Sequence, residues 1–417
     1  MKISGLRIER SNGKSFLTAD IECKFSKETK LWFCVSSEYE DMLTDDVYDA
    51  YLIAALYPAM YYNEPIEVDG FVSEKLYKNV VSYAINVINQ FSQKIGYQLN
   101  KVPVHIKGTK VAHKNQALHI GTGFSGGIDS FATIYDRYEK EKNNNWRIDS
   151  LFFFNIGQNG AIDNPNTEKC VETRYQLNEM VANELKVNSI MMDSNLFKFY
   201  LPHWEYDAGT LCRIAAILVF QRALQRYYIS SSFSYLETAD IGIHSHSLCQ
   251  FSELYITPML SSEGIDILVD GSQYSRTQKT ALIADYPLAQ KYLNVCINVK
   301  EAAKGQKNCS YCSKCLRTLL ALESLKALGK FSNVFDLDIY RKHAFKYKCE
   351  QRILYRSNPF ARDNVDFART HNVKIPCYIL AWIVMFPQLS SQWGRKVLKR
   401  LIGKNNIERM KKKLNRC

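Results

Sequence analysis

No apolar run in this 417-residue chain reaches the ~18 residues of a membrane span. Its opening residues, MKISGLRIERSNGKSF, place charges where a secretory leader needs an uninterrupted apolar stretch. No tract is of the low-complexity kind that stays unfolded, and no internal repeat is apparent. These absences exclude a helical membrane protein and a repeat array, and they lead us to expect a cytoplasmic protein most of which folds. With 46% hydrophobic and 23% charged residues the composition is that of an ordinary globular chain. Domains cluster near ~100–150 residues, so two or three are expected.

Twelve cysteines are present. In a reducing compartment they are a poor disulfide framework, so a tight cluster among them points to metal or catalysis. Scattered ones such as Cys23, Cys34, Cys170 and Cys212 read as core residues. The net charge of +12 is unevenly spread: from Arg341 onward there are nineteen Lys and Arg against four acids, and the rest is close to neutral.

Residues 1–112 read as an α+β accessory domain, with strand-like runs at Lys2–Glu9, Phe16–Phe25, Leu31–Ser36 and Val102–Lys107 and helical patterns at Asp45–Met60 and Val72–Phe91. Residues 113–290 change character. The run ALHIGTGFSGGIDSFATIYDRY reads as strand, glycine-rich turn and helix, and IDSLFFFNIG as a buried parallel strand. Helix (Thr167–Leu185), strand (Asn188–Asp193), helix (Ala208–Gln225), strand (Arg226–Phe233), strand (Ile265–Val269) and helix (Arg276–Ala284) follow. This succession predicts an α/β fold with a doubly wound parallel sheet. Residues 291–330 read as a four-cysteine zinc module and 331–417 as a basic helical extension.

In an open parallel sheet the ligand sits beyond the carboxyl ends of the strands. The turn Gly123-Phe124-Ser125-Gly126-Gly127-Ile128-Asp129-Ser130 holds that place. Gly126 and Gly127 let the backbone approach an oxyanion, Ser125 and Ser130 add hydroxyls, and Asp129 is expected to bind the Mg²⁺ that accompanies phosphates. Gly121, Gly123 and Gly126 also satisfy G-x-G-x-x-G, but the second strand ends Phe154-Asn155-Ile156-Gly157 without the ribose-binding acid. The Gly-Lys-Ser/Thr of a Walker A loop is missing.

Residues Ser125 to Ser130 match the S-G-G-x-D-S signature, and here the chain resembles the PP-loop ATP pyrophosphatases. The resemblance implies a HUP-like nucleotide-binding fold, ATP as cofactor, and a substrate adenylated with release of pyrophosphate, with Ser125, Asp129 and Ser130 taking part.

Cys309-Ser310-Tyr311-Cys312-Ser313-Lys314-Cys315 opens a helix, and Cys296 lies thirteen residues upstream after an apolar strand-like run. Four thiolates from two nearby segments suit a closed tetrahedral zinc site. A ferredoxin run would put its fourth cysteine at position 319, which is Leu319. The pairing of this cluster with the loop is similar to 7-cyano-7-deazaguanine synthases over roughly Ala117–Leu328, with Thr257–Leu260 leading toward the zinc module. Arg213, Arg276 and Lys279 fall where a cation would neutralise phosphate. After the fourth strand, SSFSYLETADIGIHSHSLCQFSELY has no counterpart of that family's recognition loop. Carboxy-deazaguanine is therefore one candidate substrate, and Asp240, His244, His246 and Glu253 are candidates to line the acceptor pocket.

The function expected is an ATP-dependent ligase or amidating enzyme. Its acceptor would be a small acid, a biosynthetic intermediate or a protein terminus. An RNA sulfurtransferase, with Cys249 as a sulfur carrier, and a non-catalytic zinc-bearing nucleic-acid module are the alternatives. Trp393–Leu414 alternates apolar with basic residues, which suits nucleic acid, an acidic partner or an anionic membrane surface, or else a solvated face packed on the catalytic domain; a homodimer is left open.

Overall fold

The structure is a computed structural model, and it describes all residues except 95–97, 158–164, 200–208, 245–252, 297, 299–307, 389 and 391–417. β1 (Lys2–Ser11), β2 (Lys14–Glu22) and β3 (Lys30–Ser36) form an antiparallel meander. Asn12 and Gly13 both take positive φ (50° and 71°), the backbone that a two-residue hairpin needs to follow strand twist. α1 (Asp49–Tyr62) is buried along nearly its whole length. β4 (Ile66–Val72), absent from the expected elements, follows it with an alternating burial pattern, Ile66, Val68, Gly70 and Val72 inward. The single helix expected at Val72–Phe91 is α2 (Glu74–Asn79), a π turn (Val80–Ala84) and α3 (Ile85–Lys94). β5 (Val104–Thr109) pairs parallel with β4.

β6 (His119–Gly123) opens the second half. After it come α4 (Ile128–Ile134), β7 (Ser150–Asn155), α5 (Pro165–Leu185), β8 (Asn188–Ser194), α6 (Gly209–Leu218), β9 (Leu224–Ser230), α7 (Tyr235–His244), β10 (Asp266–Asp270), α8 (Arg276–Ile283), α9 (Pro287–Tyr292), α10 (Ser313–Ser324), α11 (Leu337–Leu354), α12 (Pro359–Thr370) and α13 (residues 378–388). The expected α/β sheet is present and is mostly parallel. Its ten strands run β10-β9-β6-β7-β8-β3-β2-β1-β4-β5, so the meander continues the parallel half rather than forming a separate sheet. The join is antiparallel, Phe33 opposite Ser194 and Cys34 opposite Asp193.

Within the parallel half the chain steps from β6 to β7 to β8, then returns to lay β9 and β10 on the other side of β6. The order reverses between β6 and β9, and a crevice opens at such a switch point. Successive residues Tyr227, Tyr228 and Ile229 belong alternately to two apolar clusters, so helices cover both faces. One cluster holds α1 and α6, the other α4, α5 and α8 to α12.

Asp49 couples α1 to the loop after α6. It accepts from Ser73 N (2.8 Å), the Ser73 hydroxyl and Gln221 Nε2 (2.9 Å). Burial nonetheless pushes its carboxyl up to about 6 from an ordinary 3.8. The folded state thus binds this proton more tightly than the unfolded chain, so the associated stability is fully present below ~4 and is lost as pH rises through ~6. Relative to Asp49→Asn, the wild type should lose on the order of 3 kcal/mol of unfolding free energy between pH ~4 and pH ~7. Urea denaturation across that range reads it, and a pH-independent difference between the two proteins would rule it out.

Candidate functional site

Gly121 on β6 lies where a Cβ would meet Phe152 Cε2 at 2.6 Å, so this glycine serves aromatic packing. The turn beyond β6 is then built tightly. Phe124 is buried, and its carbonyl accepts from Asn178 Nδ2 at 3.3 Å. Gly126 has φ +74°, and a Cβ there would sit 2.7 Å from Leu177 Cδ2, so only glycine fits without rearrangement. Its carbonyl accepts from Asn294 N at 2.7 Å. Ser130 Oγ donates to Gly127 O (3.0 Å), and Ser125 Oγ lies 3.5 Å from Ser130 Oγ.

The turn opens into a cavity of about 390 Å³ at the carboxyl ends of β6, β7 and β9. Ser125, Asp129 and Ser130 line one side, Phe152 to Phe154 and Tyr227 another, and Arg174, Arg213 and Lys314 bring three cations to its wall. Asp129 is the single carboxylate of that lining. Arg276 Nη1 holds its Oδ2 at 2.5 Å, and Lys279 Nζ its Oδ1 at 3.5 Å. The pocket is therefore a net cationic cleft with one aromatic wall.

α8 aims both of these cations. Ser275 and Gln278 close a capping box at its start. Asp363 of α12 accepts from Ser275 Oγ (2.7 Å), Thr277 Oγ1 (2.8 Å) and Thr277 N (3.0 Å), tying the basic extension to this end of the helix. Lys279, only 1% exposed, also donates to Ser231 O beyond β9 at 2.6 Å.

The structure brings Ser125, Asp129, Ser130 and Arg213 to one cavity, with Arg276 and Lys279 against it through Asp129. Two of the expected site residues have partners within the protein that the sequence did not show. Asp129, read as a magnesium ligand, has both oxygens turned to cations. Glu253, read as an acceptor contact, is buried, pairs with Arg213 Nη2 at 3.1 Å and accepts from Ser232 N. The side chains of Asp240 and His244, and residues His246 and Cys249, lie outside the described residues, as does Trp393–Leu414. Arg174 and Lys314 escaped the sequence reading. Lys314 carried a signal, since it stands between two clustered cysteines; Arg174, in mid-helix, carried none.

Cys296, Cys309, Cys312 and Cys315 converge as expected, all four sulfurs within 4.8 Å of one another, a group that could hold a metal ion. The run before Cys296 forms no strand: α9 ends at Tyr292 and residues 293–296 belong to no regular element. Sγ of Cys315 lies 3.8 Å from that of Cys309 and 3.4 Å from that of Cys312. A tetrahedral ion with ~2.3 Å bonds to sulfur spaces its ligands by about 3.8 Å. Burial pushes the Cys309 thiol up to about 11, and Cys315 is raised by its hydrogen bonds to Cys296 and Cys312, then by burial. Cys309 and Cys315 thus resist ionisation in the cluster, and a bound cation reverses that. N–H groups of Asn298 and Cys312 already point at Cys296 and Cys309 sulfurs, both at 3.3 Å. Asn308 staples the two ligand segments, accepting from Val295 N and donating to Leu293 O and Val334 O.

Three links join cluster and cavity. Asn294, two residues before Cys296, binds Gly126 O. Arg174 Nη2 donates to Cys296 O at 3.3 Å. Lys314, between Cys312 and Cys315, reaches the cavity wall. Comparison with protein-family models, with curated proteins and with solved structures found no match to this chain.

Proposed function

We propose that the chain is an ATP pyrophosphatase of the PP-loop kind with a HUP-like catalytic core, a ligase that adenylates an acceptor, most simply a carboxylate, and carries a structural zinc beside the site. The observation that carries this reading is the Ser125–Ser130 turn at the switch point, facing a cavity with three cations on its wall. Backbone and hydroxyls of the turn hold the pyrophosphate end of ATP, and the aromatic wall accepts the adenosine. An acceptor oxygen attacks the α-phosphorus, and the bond to the β-phosphate oxygen breaks. Arg174, Arg213 and Lys314 take up the charge that moves onto the leaving pyrophosphate. A nitrogen nucleophile then displaces AMP.

The donor set of four sulfurs suits zinc, which would supply a fixed cross-link and no chemistry at the substrate. Magnesium does not fit the arrangement of Asp129, whose oxygens face Arg276 and Lys279. We derive no step through it and assign Asp129 the positioning of these two cations. A sulfurtransferase is disfavoured because the four clustered thiols converge on one another. A non-catalytic module leaves the cavity without a purpose.

The test is product identity. The protein is incubated with γ-labelled ATP and a deproteinised cell extract as the source of acceptor. Label should leave in pyrophosphate, with AMP formed in equal amount; label in free phosphate together with ADP sinks the reading.

A further inference from the structure

α13 packs only one edge inward. Ala381 and Met385 meet Cys349 of α11, with Ile353 and Val384 alongside. Its other side exposes Tyr378, Ile379, Leu380, Trp382, Ile383 and Phe386, with Ile379 73%, Ile383 66% and Phe386 60% accessible. Six large apolar side chains between positions 378 and 386 form a patch that water-facing surfaces avoid. Residues 391–417, next along the chain, hold ten Lys and Arg against one acid.

We propose that α13 is an interfacial anchor that lies on an anionic lipid surface. Ile379, Trp382, Ile383 and Phe386 enter the boundary between headgroups and acyl chains, and the positive charge of the sequence from 391 onward selects an anionic surface. Among the described residues no helix is long and apolar enough to cross a membrane, so α13 lies on the surface rather than spanning it. Two weak signals in sequence, an inserted apolar face and a polybasic stretch, are what reversible peripheral binding requires. Charge argues against the other occupants. A second copy docked through α13 would bring two such cationic stretches together. Nucleic acid would meet the cations but would leave the aliphatic face, which offers no hydrogen bond to phosphate or base, in water.

The experiment is co-sedimentation of the full chain with vesicles. Binding is expected to phosphatidylcholine vesicles that contain phosphatidylglycerol and not to phosphatidylcholine alone, and it should weaken as salt rises. Ile383→Ser with Phe386→Ser should lower the partition constant at least about tenfold. Both positions are exposed, so the melting temperature should stay at the wild-type value. Brominated lipid should quench a tryptophan emission that Trp382→Phe removes. The proposal is overturned by the absence of binding to the anionic vesicles, by wild-type binding of the double variant, or by unchanged quenching in Trp382→Phe. A wild-type dimer that the double substitution splits, without lipid binding, would instead make this face an interface between copies.

Discussion

Cys312→Ser should be recovered with little of the zinc that the wild type holds at about one ion per chain, and with pyrophosphate binding reduced along with it. The first loss follows from the converging sulfurs, since three thiols cannot close a tetrahedral site. The second follows from the links between cluster and cavity. With the ion gone, the segment carrying Asn294 is held by the Asn308 bonds to Leu293 and Val295 without the cross-link through Cys296, so the 2.7 Å bond from Asn294 N to Gly126 O weakens and the turn loosens. Arg174 loses the Cys296 carbonyl, and Lys314 is no longer held between two ligands. Lys314→Ala separates the two effects. It should keep its zinc while pyrophosphate affinity falls roughly ten- to a hundredfold, the worth of one charge-assisted hydrogen bond of ~1.5–3 kcal/mol. Elemental analysis and titration calorimetry read both quantities. Full metal content in Cys312→Ser, or iron in anaerobically prepared wild type, removes the zinc assignment. Unchanged pyrophosphate affinity after metal removal leaves the cluster as a distant staple.

Asp129→Ala should abolish turnover while leaving the protein folded, because it frees Arg276 and Lys279 from the carboxylate that aims them. Asp129→Asn is the sharper variant. It keeps the shape of the side chain and removes one negative charge from a polyanion site, so pyrophosphate should bind at least as tightly without divalent ions while turnover is lost. Weaker pyrophosphate binding by Asp129→Asn would mean that the carboxylate meets the anion through a metal, as the sequence alone suggests. Ser125→Ala and Ser130→Ala should each reduce turnover by roughly ten- to a hundredfold if their hydroxyls bind the charged phosphate. Normal turnover by Asp129→Ala would show that the loop is misassigned.

Much of the parallel half was legible because its strands are short apolar runs separated by helical periods, and the glycine-rich turn marks the end of the first. β4 is only half legible. Ile66, Val68 and Val72 alternate with Glu67, Asp69 and Phe71, but Gly70 on the buried face breaks the apolar pattern. Its lack of a side chain is what makes room for the Tyr48 ring, where a Cβ would lie 2.0 Å from Cε2. The four cysteines announce themselves by spacing. The pocket's Arg174 does not, because a cation on a helix reads as surface until the sheet shows which end of it faces the crevice. Glu253, a candidate to line the acceptor pocket, is paired with Arg213 across forty positions of sequence, a contact that spacing does not reveal.

The seam between β3 and β8 is held largely by polar side chains. Trp32 N donates to Asn195 Oδ1, Asn195 Nδ2 donates to Lys30 O, and Ser194 Oγ donates to Trp32 O. These partners lie more than 160 positions apart. On the ribosome, at ~5–20 residues per second, β3 therefore waits roughly 8–30 s before the strand that covers its edge has been made. Through that interval its open N–H and C=O groups can pair with any extended chain nearby. Translation speed, rather than the stability of the finished sheet, sets how long the nascent molecule is open to misassembly.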